Sequence, residues 1–348
     1  MLVVSAIIPH AGGREILREC LDSLQDVEGV ELEVVVVDNG SGENPDDWGL
    51  ARFAKAQYLH YECRLGFAAA CNRGVDAASG DFVFLFNNDA VIAPGGVAIL
   101  AETLSADPVA AAVQPKILRY SDPKFFDYSS ACGGMLDRYG IPFAKGRIFD
   151  TLEEDRGQYD SPGEIFWGAG AALMLRKNLY LEAGGLEEPF FAHMEEIDLL
   201  WRLQLMGCRV LVEPRAVVRH RGAVTIQTGS FLKLYLNHRN SLTMMLRNYS
   251  LHSLLCYFPA RFGMDMAFGL LNLALLNFKK FFAVVRAWIW ILFSISYLIE
   301  CRRRAQRLRR MDDSHILRRI YPGSIAWQYF IRRRRTYGEI EAADLGRR

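Results

Sequence analysis

Apolar and polar residues form separate blocks along the first hundred positions, and these blocks predict an α/β fold. The apolar runs at 2–8, 34–37 and 82–86 are too short for helices and lack strict alternation, which favours strands covered on both faces. Segments 14–24 and 94–104 instead carry apolar residues at helical spacing. With right-handed crossovers, this order predicts an open, mostly parallel sheet with helices on both faces.

The predicted strands end in polar residues. The run 34–37 leads into Asp38-Asn39, and the run 82–86 leads into Asn87-Asn88-Asp89. Ligands of open α/β sheets bind beyond these carboxyl ends. Asp38 fits either an Asx-turn or a carboxylate that accepts the imide N–H of uracil or thymine. The trio Asn87-Asn88-Asp89 fits either a turn or a binding site for a divalent cation that coordinates a diphosphate.

Gly66 opens a predicted helix of small residues, whose backbone N–H groups would be able to approach a phosphate. The chain has no Gly-x-Gly-x-x-Gly segment and no P-loop, which disfavours a dinucleotide dehydrogenase or a kinase. A nucleotidyltransferase would carry a basic, Gly-rich loop after its first strand, and residues 9–14 match that pattern only faintly.

Composition limits the size and the setting of the fold. The 348 residues are 51% hydrophobic and 23% charged, enough for one large core with an appendage or for two modest domains. The seven cysteines are scattered and form no Cys-x-x-Cys, which favours reduced thiols over a zinc cluster or a disulfide framework. Residues 1–8 lack a basic start and predict a strand rather than a signal peptide.

The last third of the chain has a different character. We expect a helix over 231–249, and the segment 254–299 is apolar and aromatic with interior charges that include Arg261, Asp265 and Arg286. It fits either a membrane-associating region or a buried helix pair. Residues 301–348 hold fourteen Arg, no Lys and five acids, a balance of +9 in a chain of net charge +1. Such a tail predicts an anionic membrane surface as partner. No nucleic acid partner is expected, and the oligomeric state stays open.

A two-pass crossing of the membrane is disfavoured on charge. A hairpin over 254–299 would place Lys279 and Lys280 on the far side, against the positive-inside rule. Its interior charges would each cost roughly 2.5–3.5 kcal/mol near the bilayer centre. We therefore expect a peripheral or re-entrant arrangement on the cytoplasmic face of a membrane, which the resemblance described next implies to be the bacterial inner membrane.

Successive blocks of the chain carry a family resemblance over about residues 3–240. The blocks are Pro9, Val35–Ser41, Gly66-Phe67-Ala68 with Asn72 and Gly74, Phe86–Ala90, Trp167–Arg176, Gly184–Leu186, Glu195–Leu199 and Pro214–Gly222. In this order and spacing the chain resembles the family 2 inverting glycosyltransferases of GT-A fold, especially the rhamnosyltransferase-like branch of bacterial polysaccharide synthesis.

The resemblance implies a domain plan and a donor site. A GT-A catalytic domain would span 1–230, with a nucleotide-sugar half at about 1–110, an acceptor half at about 111–230, and a helical membrane-associating region at 231–348. The nucleotide sugar would contact Pro9, Asp38, Asn39, Gly66, Asn72, Asn88 and Asp89. A Mg²⁺ or Mn²⁺ ion would be held by Asp89, His220 and Asn87, although the family often has an acid where this chain has Asn87.

Catalysis is expected at the acidic block. Glu196 is the predicted base and Glu195 the alternate, in a family that commonly has Glu-Asp here. Asp198 is a third candidate, but it also has the spacing to pair with Arg202 on a helix.

The acceptor would contact Trp167, Gly168, Ala169 and His193. A buried core tryptophan and an exposed loop histidine are the alternatives for Trp167 and His193.

The implied reaction moves a sugar from dTDP-rhamnose or a UDP-hexose to a polyprenyl-diphosphate-linked saccharide. Two alternatives stay open: a polyprenyl-phosphate sugar synthase, and an inactive membrane-bound scaffold of the same fold.

Overall fold

The computed structural model describes residues 2–25, 27–222 and 229–345. Its strands are β1 (Val3–His10), β2 (Glu31–Asn39), β3 (Ala56–Tyr61), β4 (Phe82–Phe86), β5 (Ala90–Ile92), β6 (Ala110–Arg119), β7 (Gly134–Leu136), β8 (Pro142–Ala144), β9 (Arg147–Ile148), β10 (Thr151–Leu152), β11 (Gly163–Glu164), β12 (Ala172–Arg176) and β13 (Arg209–His220). Its α-helices are α1 (Arg14–Asp22), α2 (Phe67–Ala77), α3 (Gly96–Ala106), α4 (Lys177–Glu182), α5 (Glu195–Leu205), α6 (Phe231–Asn248), α7 (Leu251–Ala274), α8 (Phe278–Phe293), α9 (Ile295–Leu308), α10 (Asp313–Arg319) and α11 (Tyr337–Leu345).

The main sheet has the order β11-β13-β6-β12-β4-β1-β2-β3, and β5 pairs with β13. Strands β3, β2, β1 and β4 are parallel neighbours, and β12 lies antiparallel between β4 and β6. Ile7 is paired with both Val35 and Leu85, so the carboxyl ends of β1, β2 and β4 lie along one edge. The predicted α/β sheet with helices C-terminal to it is confirmed.

Two further strands bring residues to this edge. The last residue of β13, His220, pairs with Ala90 of β5, directly after the polar trio that ends β4. The first residue of β12, Ala172, pairs with Phe86, so the preceding segment lies just beyond the end of β4. Antiparallel β12 and β5 thus complete a site that the parallel strands begin.

Helix α2 is built from small residues because it packs very closely on the sheet. A Cβ atom on Gly74 would lie 2.3 Å from Cγ2 of Ile7 and 3.0 Å from Cγ2 of Val37. Ala68, Ala70 and Cys71 are buried in the core on the same helix. Close helix–sheet packing therefore accounts for these small residues.

The helical region shares the main core of the α/β part. Met244, Met245 and Tyr249 near the end of α6, Leu254 of α7 and Ile316 of α10 belong to the same hydrophobic cluster as the sheet. The helical region is therefore packed onto the α/β part through a common hydrophobic core.

The interior charges of α7 are buried in the protein, whereas Arg286 of α8 is exposed and lies against an aromatic ring. Nε of Arg261 lies 3.1 Å from Oδ1 of Asp265, and the Arg261 guanidinium donates to the carbonyl of Tyr139 at 2.7 Å. The guanidinium of Arg286 lies 4.6 Å from the ring centroid of Tyr235 on α6. Arg261 and Asp265 therefore pair within the protein, which lowers their expected cost of insertion, whereas the exposed Arg286 and the Lys279-Lys280 turn still oppose a crossing.

The opposite side of these helices is apolar and exposed. Ten side chains of the α7–α9 region are each more than half exposed, and we call them the outer apolar face: Leu251, Leu255, Leu270, Leu271, Leu275, Leu276, Phe282, Leu292, Phe293 and Ile295. By length and composition α7 is able to cross a membrane, as is α8 with α9, which are bent by 77°. Exposed apolar surface of this extent is typical of an interaction site.

Candidate active site

His220 joins the polar trio after β4 at the centre of the sheet edge. Its Nε2 atom lies 3.2 Å from Oδ1 of Asp89 and 3.2 Å from the side-chain nitrogen of Asn87. Asp89 and His220 are each only 5% exposed. The structure therefore brings together the three side chains predicted to hold a metal ion.

The second ring nitrogen of His220 is held by loop residues whose role the sequence did not predict. Nδ1 of His220 lies 3.0 Å from Oδ1 of Asp127 and 3.1 Å from Oγ of Ser129. Burial alone would lower the pKa of His220, but its hydrogen bonds to Asp127 and Asp89 outweigh burial and raise the pKa to about 10. The same contacts hold the pKa of Asp127 below its usual value despite burial.

These residues fit a divalent cation that is shared with a substrate. Among the residues that the structure describes, no group of three or more His, Cys, Asp or Glu side chains could enclose an ion by itself. One carboxylate, one imidazole and one amide oxygen leave room for diphosphate oxygens, and this mixed set suits Mg²⁺ or Mn²⁺. A carboxylate behind the second imidazole nitrogen, as Asp127 is here, is a common support for a metal-binding histidine.

The acid pair begins α5 after a strained loop. Phe191, His193 and Met194 have φ angles of 65°, 69° and 73°, in the left-handed region that side chains disfavour. The side-chain nitrogen of Asn240 on α6 holds this loop, 2.7 Å from the carbonyl oxygen of His193 and 3.1 Å from that of Ala192. Because α6 fixes the backbone of this loop, the loop keeps its strained conformation and holds Glu195 and Glu196 in position.

Both glutamates have carboxyl groups in a desolvated setting. Within the described chain, Oε2 of Glu195 and Oε2 of Glu196 are buried and have no hydrogen-bond partner. Burial raises the pKa of Glu196 to about 7, although the backbone N–H of Gly170 partly offsets the rise. Burial and the neighbouring Glu196 raise the pKa of Glu195 well above its usual range. A carboxylate with a pKa near neutrality is suited to act as a general base.

The segment Gly170-Ala171 connects the acid pair to the sheet edge that carries Asn87, Asp89 and His220. The backbone N–H of Gly170 is close enough to the Glu196 carboxylate to lower its pKa, and the carbonyl of Ala171 accepts the N–H of Asn87 at 3.0 Å. Glu196, the predicted base, and Asn87, a predicted metal ligand, thus lie on either side of one short turn.

Asp198 has a different place from its neighbours. It is fully buried, and its Oδ2 atom lies 3.0 Å from Arg202 and 2.9 Å from Arg247, while Oδ1 accepts from Asn248 at 2.8 Å. The pairing with Arg202 that the spacing predicted is confirmed. A base role for Asp198 is corrected: both of its oxygens are occupied and no substrate can reach it, so it anchors α5 to α6.

The end of β2 forms the other wall of the edge. Asp38 is fully buried, and it accepts the N–H of Ser41 at 2.8 Å and contacts Nδ1 of His60 at 2.8 Å. Burial would raise the pKa of Asp38, but these hydrogen bonds keep it below its usual value. Oδ1 of Asn39 accepts the N–H of Leu65 at 2.6 Å, just before α2.

A second unpredicted contact lies at the end of β1, beside Pro9. His10 is fully buried, with Nε2 2.9 Å from Oε2 of Glu43 and Nδ1 3.0 Å from the side-chain nitrogen of Asn88. Asn88 therefore ties the trio after β4 to β1. A histidine next to Pro9 at a strand end was a signal that could have suggested this.

Gly66 and Asn72 link α2 to the segment that leads to Glu195, which we call the acid loop. Gly66 has φ +89°, and a Cβ atom there would lie 2.7 Å from Cδ2 of Phe191. The N–H of Phe67 donates to the carbonyl of Phe191 at 2.9 Å. The side chain of Asn72 donates to the carbonyl of Leu186 at 2.9 Å and accepts its N–H at 3.0 Å. Both residues thus position the loop that precedes Glu195.

The predicted acceptor residues separate into two groups. Trp167 is only 6% exposed and donates to the carbonyl of Met135 at 2.7 Å, so the expected stacking on a sugar is corrected to a core position. Gly168 and Ala169 pack against Gln114, whose Oε1 accepts the N–H of Ala169 at 2.9 Å. His193 is half-buried with no partner for Nε2 in the described residues, and burial lowers its pKa to about 4.

Comparisons with known proteins agree with this architecture. Residues 5–177 match the family model for glycosyl transferase family 2. The N-acetylglucosaminyl-diphospho-decaprenol L-rhamnosyltransferase of Mycobacterium tuberculosis is 27% identical over 228 residues, which cover 60% of this chain and 73% of that protein.

Two solved structures share the fold. GalNAc-T7 with UDP, GalNAc and Mn²⁺ aligns at TM-score 0.56 and 16% identity over 71% of this chain and 48% of its own. The mannosyltransferase PcManGT from Pyrobaculum calidifontis, with GDP-Man and Mn²⁺, aligns at TM-score 0.52 and 18% identity over 84% and 87%.

Proposed function

Because this chain belongs to glycosyl transferase family 2 and has the GT-A fold, we propose that it transfers a sugar, with inversion, from a nucleotide-diphospho sugar to a saccharide hydroxyl. The observation that carries the proposal is the Gly170-Ala171 turn, which contacts Glu196 on one side and Asn87 on the other. With these roles, the turn would bring the base for the acceptor beside the ligands for the donor diphosphate. The same geometry argues against an inactive scaffold.

The donor is dTDP-rhamnose or a UDP-hexose, and the acceptor is a polyprenyl-diphosphate-linked saccharide of a cell-surface polysaccharide. The similarity to a decaprenol-linked rhamnosyltransferase supports this choice. Pro9, Asp38 and Asn39 would border the nucleotide, since they stand at the carboxyl ends of β1 and β2. Oδ2 and Oδ1 of Asp38 already have partners, so an imide N–H would share one of these oxygens.

Asp89, His220 and Asn87 would hold Mg²⁺ or Mn²⁺, with Asp127 fixing the imidazole. A bound cation would neutralise charge that develops on the leaving diphosphate. The presence of Mn²⁺ in the solved structures of similar fold supports a divalent ion.

Glu196 is the proposed base. It takes the proton from the acceptor hydroxyl while that oxygen forms a bond to the anomeric carbon. The bond from this carbon to the diphosphate oxygen breaks, and its electron pair leaves with the nucleoside diphosphate. Attack opposite the leaving group inverts the anomeric centre. Glu195 would stay protonated beside it, because burial and the charge of Glu196 raise the pKa of Glu195 well above its usual range.

The division of labour follows the domain plan, with catalysis in 1–230 and membrane attachment in 231–348. The outer apolar face would enter the headgroup region on the cytoplasmic side of the inner membrane, in a peripheral or re-entrant manner. The Arg-rich segment after α8 would meet anionic lipids. This arrangement gives the active site access to an acceptor that stays in the bilayer.

The proposal is tested with a panel of nucleotide sugars, each with Mn²⁺, Mg²⁺ or EDTA. Calorimetry should find metal-dependent binding of a UDP- or dTDP-sugar, and product analysis by NMR should show inverted anomeric configuration. Absence of binding by every nucleotide sugar would overturn the proposal.

A further inference from the structure

A basic cluster borders the acid pair and the proposed metal site, and none of the roles given above uses it. It consists of Arg147 on β9, Lys233 on α6 and the ring of Tyr128 between them. The Arg147 guanidinium carbon lies 3.6 Å from the Tyr128 ring centroid, and Nζ of Lys233 lies 5.1 Å from it. Three separate segments of the chain converge here.

The two cations are near each other and neither forms an ion pair with a described residue, although the charges of Asp127 and Asp150 act on Arg147 from beyond ion-pair distance. Arg147 donates only to backbone carbonyls among the described residues, those of Tyr128 and Phe149. Its guanidinium has five N–H donors, so three are free for a ligand. Lys233 forms no ion pair with a described residue, and burial together with the charge of Arg147 lowers its pKa.

This arrangement costs free energy unless an anion neutralises it. Like charges in a partly desolvated setting repel each other, and each loses hydration. A native fold that keeps such a pair is well suited to bind an anionic group with several oxygens. The Tyr128 side chain is 40% exposed, so the cluster can be reached from solvent.

The cluster adjoins both halves of the reaction centre. Tyr128 lies between Asp127 and Ser129, which contact His220. Lys233 is close enough to His193 to help lower its pKa, and His193 is two residues before Glu195. An anion on Arg147 and Lys233 would therefore lie beside the place where the acceptor hydroxyl meets Glu196.

The cluster also adjoins the membrane-facing helices. Lys233 follows Leu232, which is 46% exposed, and Phe231, whose ring lies 5.7 Å from the Arg286 guanidinium of α8. A lipid-linked substrate that extends from the outer apolar face toward Glu196 would bring its charged linkage past this point.

We propose that Arg147 and Lys233 bind the diphosphate group of the lipid-linked acceptor. The proposal rests on the proposed function and deepens it, because it assigns the diphosphate of the acceptor to a site apart from Asp89 and His220. The donor carries the same chemical group, so the test must distinguish the two sources.

The test uses the full chain and soluble probes. Geranyl diphosphate and its neutral counterpart geraniol are titrated without nucleotide or divalent cation, and Kd is measured by calorimetry. UDP and dTDP are titrated separately with Mn²⁺. The variants are Lys233→Gln, Arg147→Gln on a different element, the charge-retaining Lys233→Arg, and Lys55→Gln. Lys55 is a matched control because it makes one surface ion pair, with Glu31, at the opposite edge of the sheet.

We expect geranyl diphosphate to bind and geraniol not to bind. Lys233→Gln or Arg147→Gln should weaken geranyl diphosphate binding about tenfold or more, the effect of one lost charge-assisted hydrogen bond. Lys233→Arg and Lys55→Gln should keep the affinity, and nucleotide binding should change less than about twofold in all variants.

An unchanged Kd for geranyl diphosphate in either glutamine variant that retains its fold, or no binding by the parent, overturns the proposal. Weaker nucleotide binding with unchanged geranyl diphosphate binding would assign the cluster to the donor and also overturn it. Failure of the proposed function itself would instead appear as absence of nucleotide-sugar binding.

Discussion

Nε2 of His220 lies 3.2 Å from Oδ1 of Asp89, although 131 residues separate them in the chain. The pairing of β13 with β5 brings them together, because His220 is opposite Ala90. Asp127 then fixes the orientation of the imidazole from the far side at 3.0 Å. The proposed metal site therefore includes a supporting carboxylate as well as the proposed ligands.

Asp127→Asn should weaken Mn²⁺ binding in the presence of UDP by about 10–100-fold, the range found for supporting partners of metal-binding histidines. The amide cannot hold the imidazole by charge, so the ligand loses its fixed orientation. Titration of Mn²⁺ followed by electron paramagnetic resonance measures the change. Asp81→Asn, at an exposed position before β4, is the control and should bind Mn²⁺ as the parent does. Equal affinity in Asp127→Asn and Asp81→Asn would remove the supporting role.

The rate of transfer should depend on the ionisation of Glu196. Its pKa is raised to about 7, and a general base acts only when it is deprotonated. At limiting substrate, kcat/KM should fall about tenfold per pH unit below pH 7 and reach a plateau above it. Initial rates from pH 5 to pH 9 test this. A flat profile between pH 5 and pH 7 would show that no group with this pKa acts in the rate-determining step.

Gly66→Ala should disturb the acid loop at a distance from the chemistry. The new Cβ would meet the ring of Phe191 at 2.7 Å, on a backbone with φ +89°. A strained position of this kind costs about 1–3 kcal/mol, so we expect a lower Tm and a lower kcat. Gly163→Ala is the control, because φ is ordinary there and nothing lies within 4 Å of the added atom. If both variants keep the parental Tm and kcat, the close contact of α2 with the acid loop is unimportant.

The outer apolar face should carry membrane binding. Leu275 and Leu276 are 68% and 74% exposed in the turn between α7 and α8. Replacing both by Ser should reduce cosedimentation with anionic vesicles about tenfold or more, since each buried leucine contributes about 1.5–3 kcal/mol. Leu181→Ser, at a leucine that is 47% exposed on α4, should bind vesicles as the parent does. Equal partition of both variants and the parent would exclude this face as the attachment surface.

The sequence was sufficient to predict the sheet edge, because polar residues directly follow apolar strands at Asp38 and Asn87–Asp89. It did not reveal Asp127 or Glu43, since they lie in irregular loops and reach His220 and His10 over 93 and 33 residues of chain. Contacts of this range depend on how loops fold back, and local patterns do not encode that.

Residue type alone gave wrong predictions where burial decides the role. A tryptophan such as Trp167 is able to stack on a sugar, but its ring is buried and its indole N–H donates to the carbonyl of Met135. Asp198 has the properties of a base, but Arg202 and Arg247 neutralise it. The strained loop at 191–194 was not predictable either, because its non-glycine residues give no signal of left-handed backbone.

The central claim is that Glu196 is the base of an inverting transfer, and its most direct test compares Glu196→Gln with Glu195→Gln. Both changes are isosteric and remove one carboxylate from the same helix start. We predict that Glu196→Gln keeps the parental Kd for the donor but loses transfer by roughly 10²–10⁴-fold, while Glu195→Gln loses much less. Single-turnover transfer together with donor calorimetry measures both quantities. Full transfer by Glu196→Gln with loss in Glu195→Gln would contradict the assignment and move the base to Glu195.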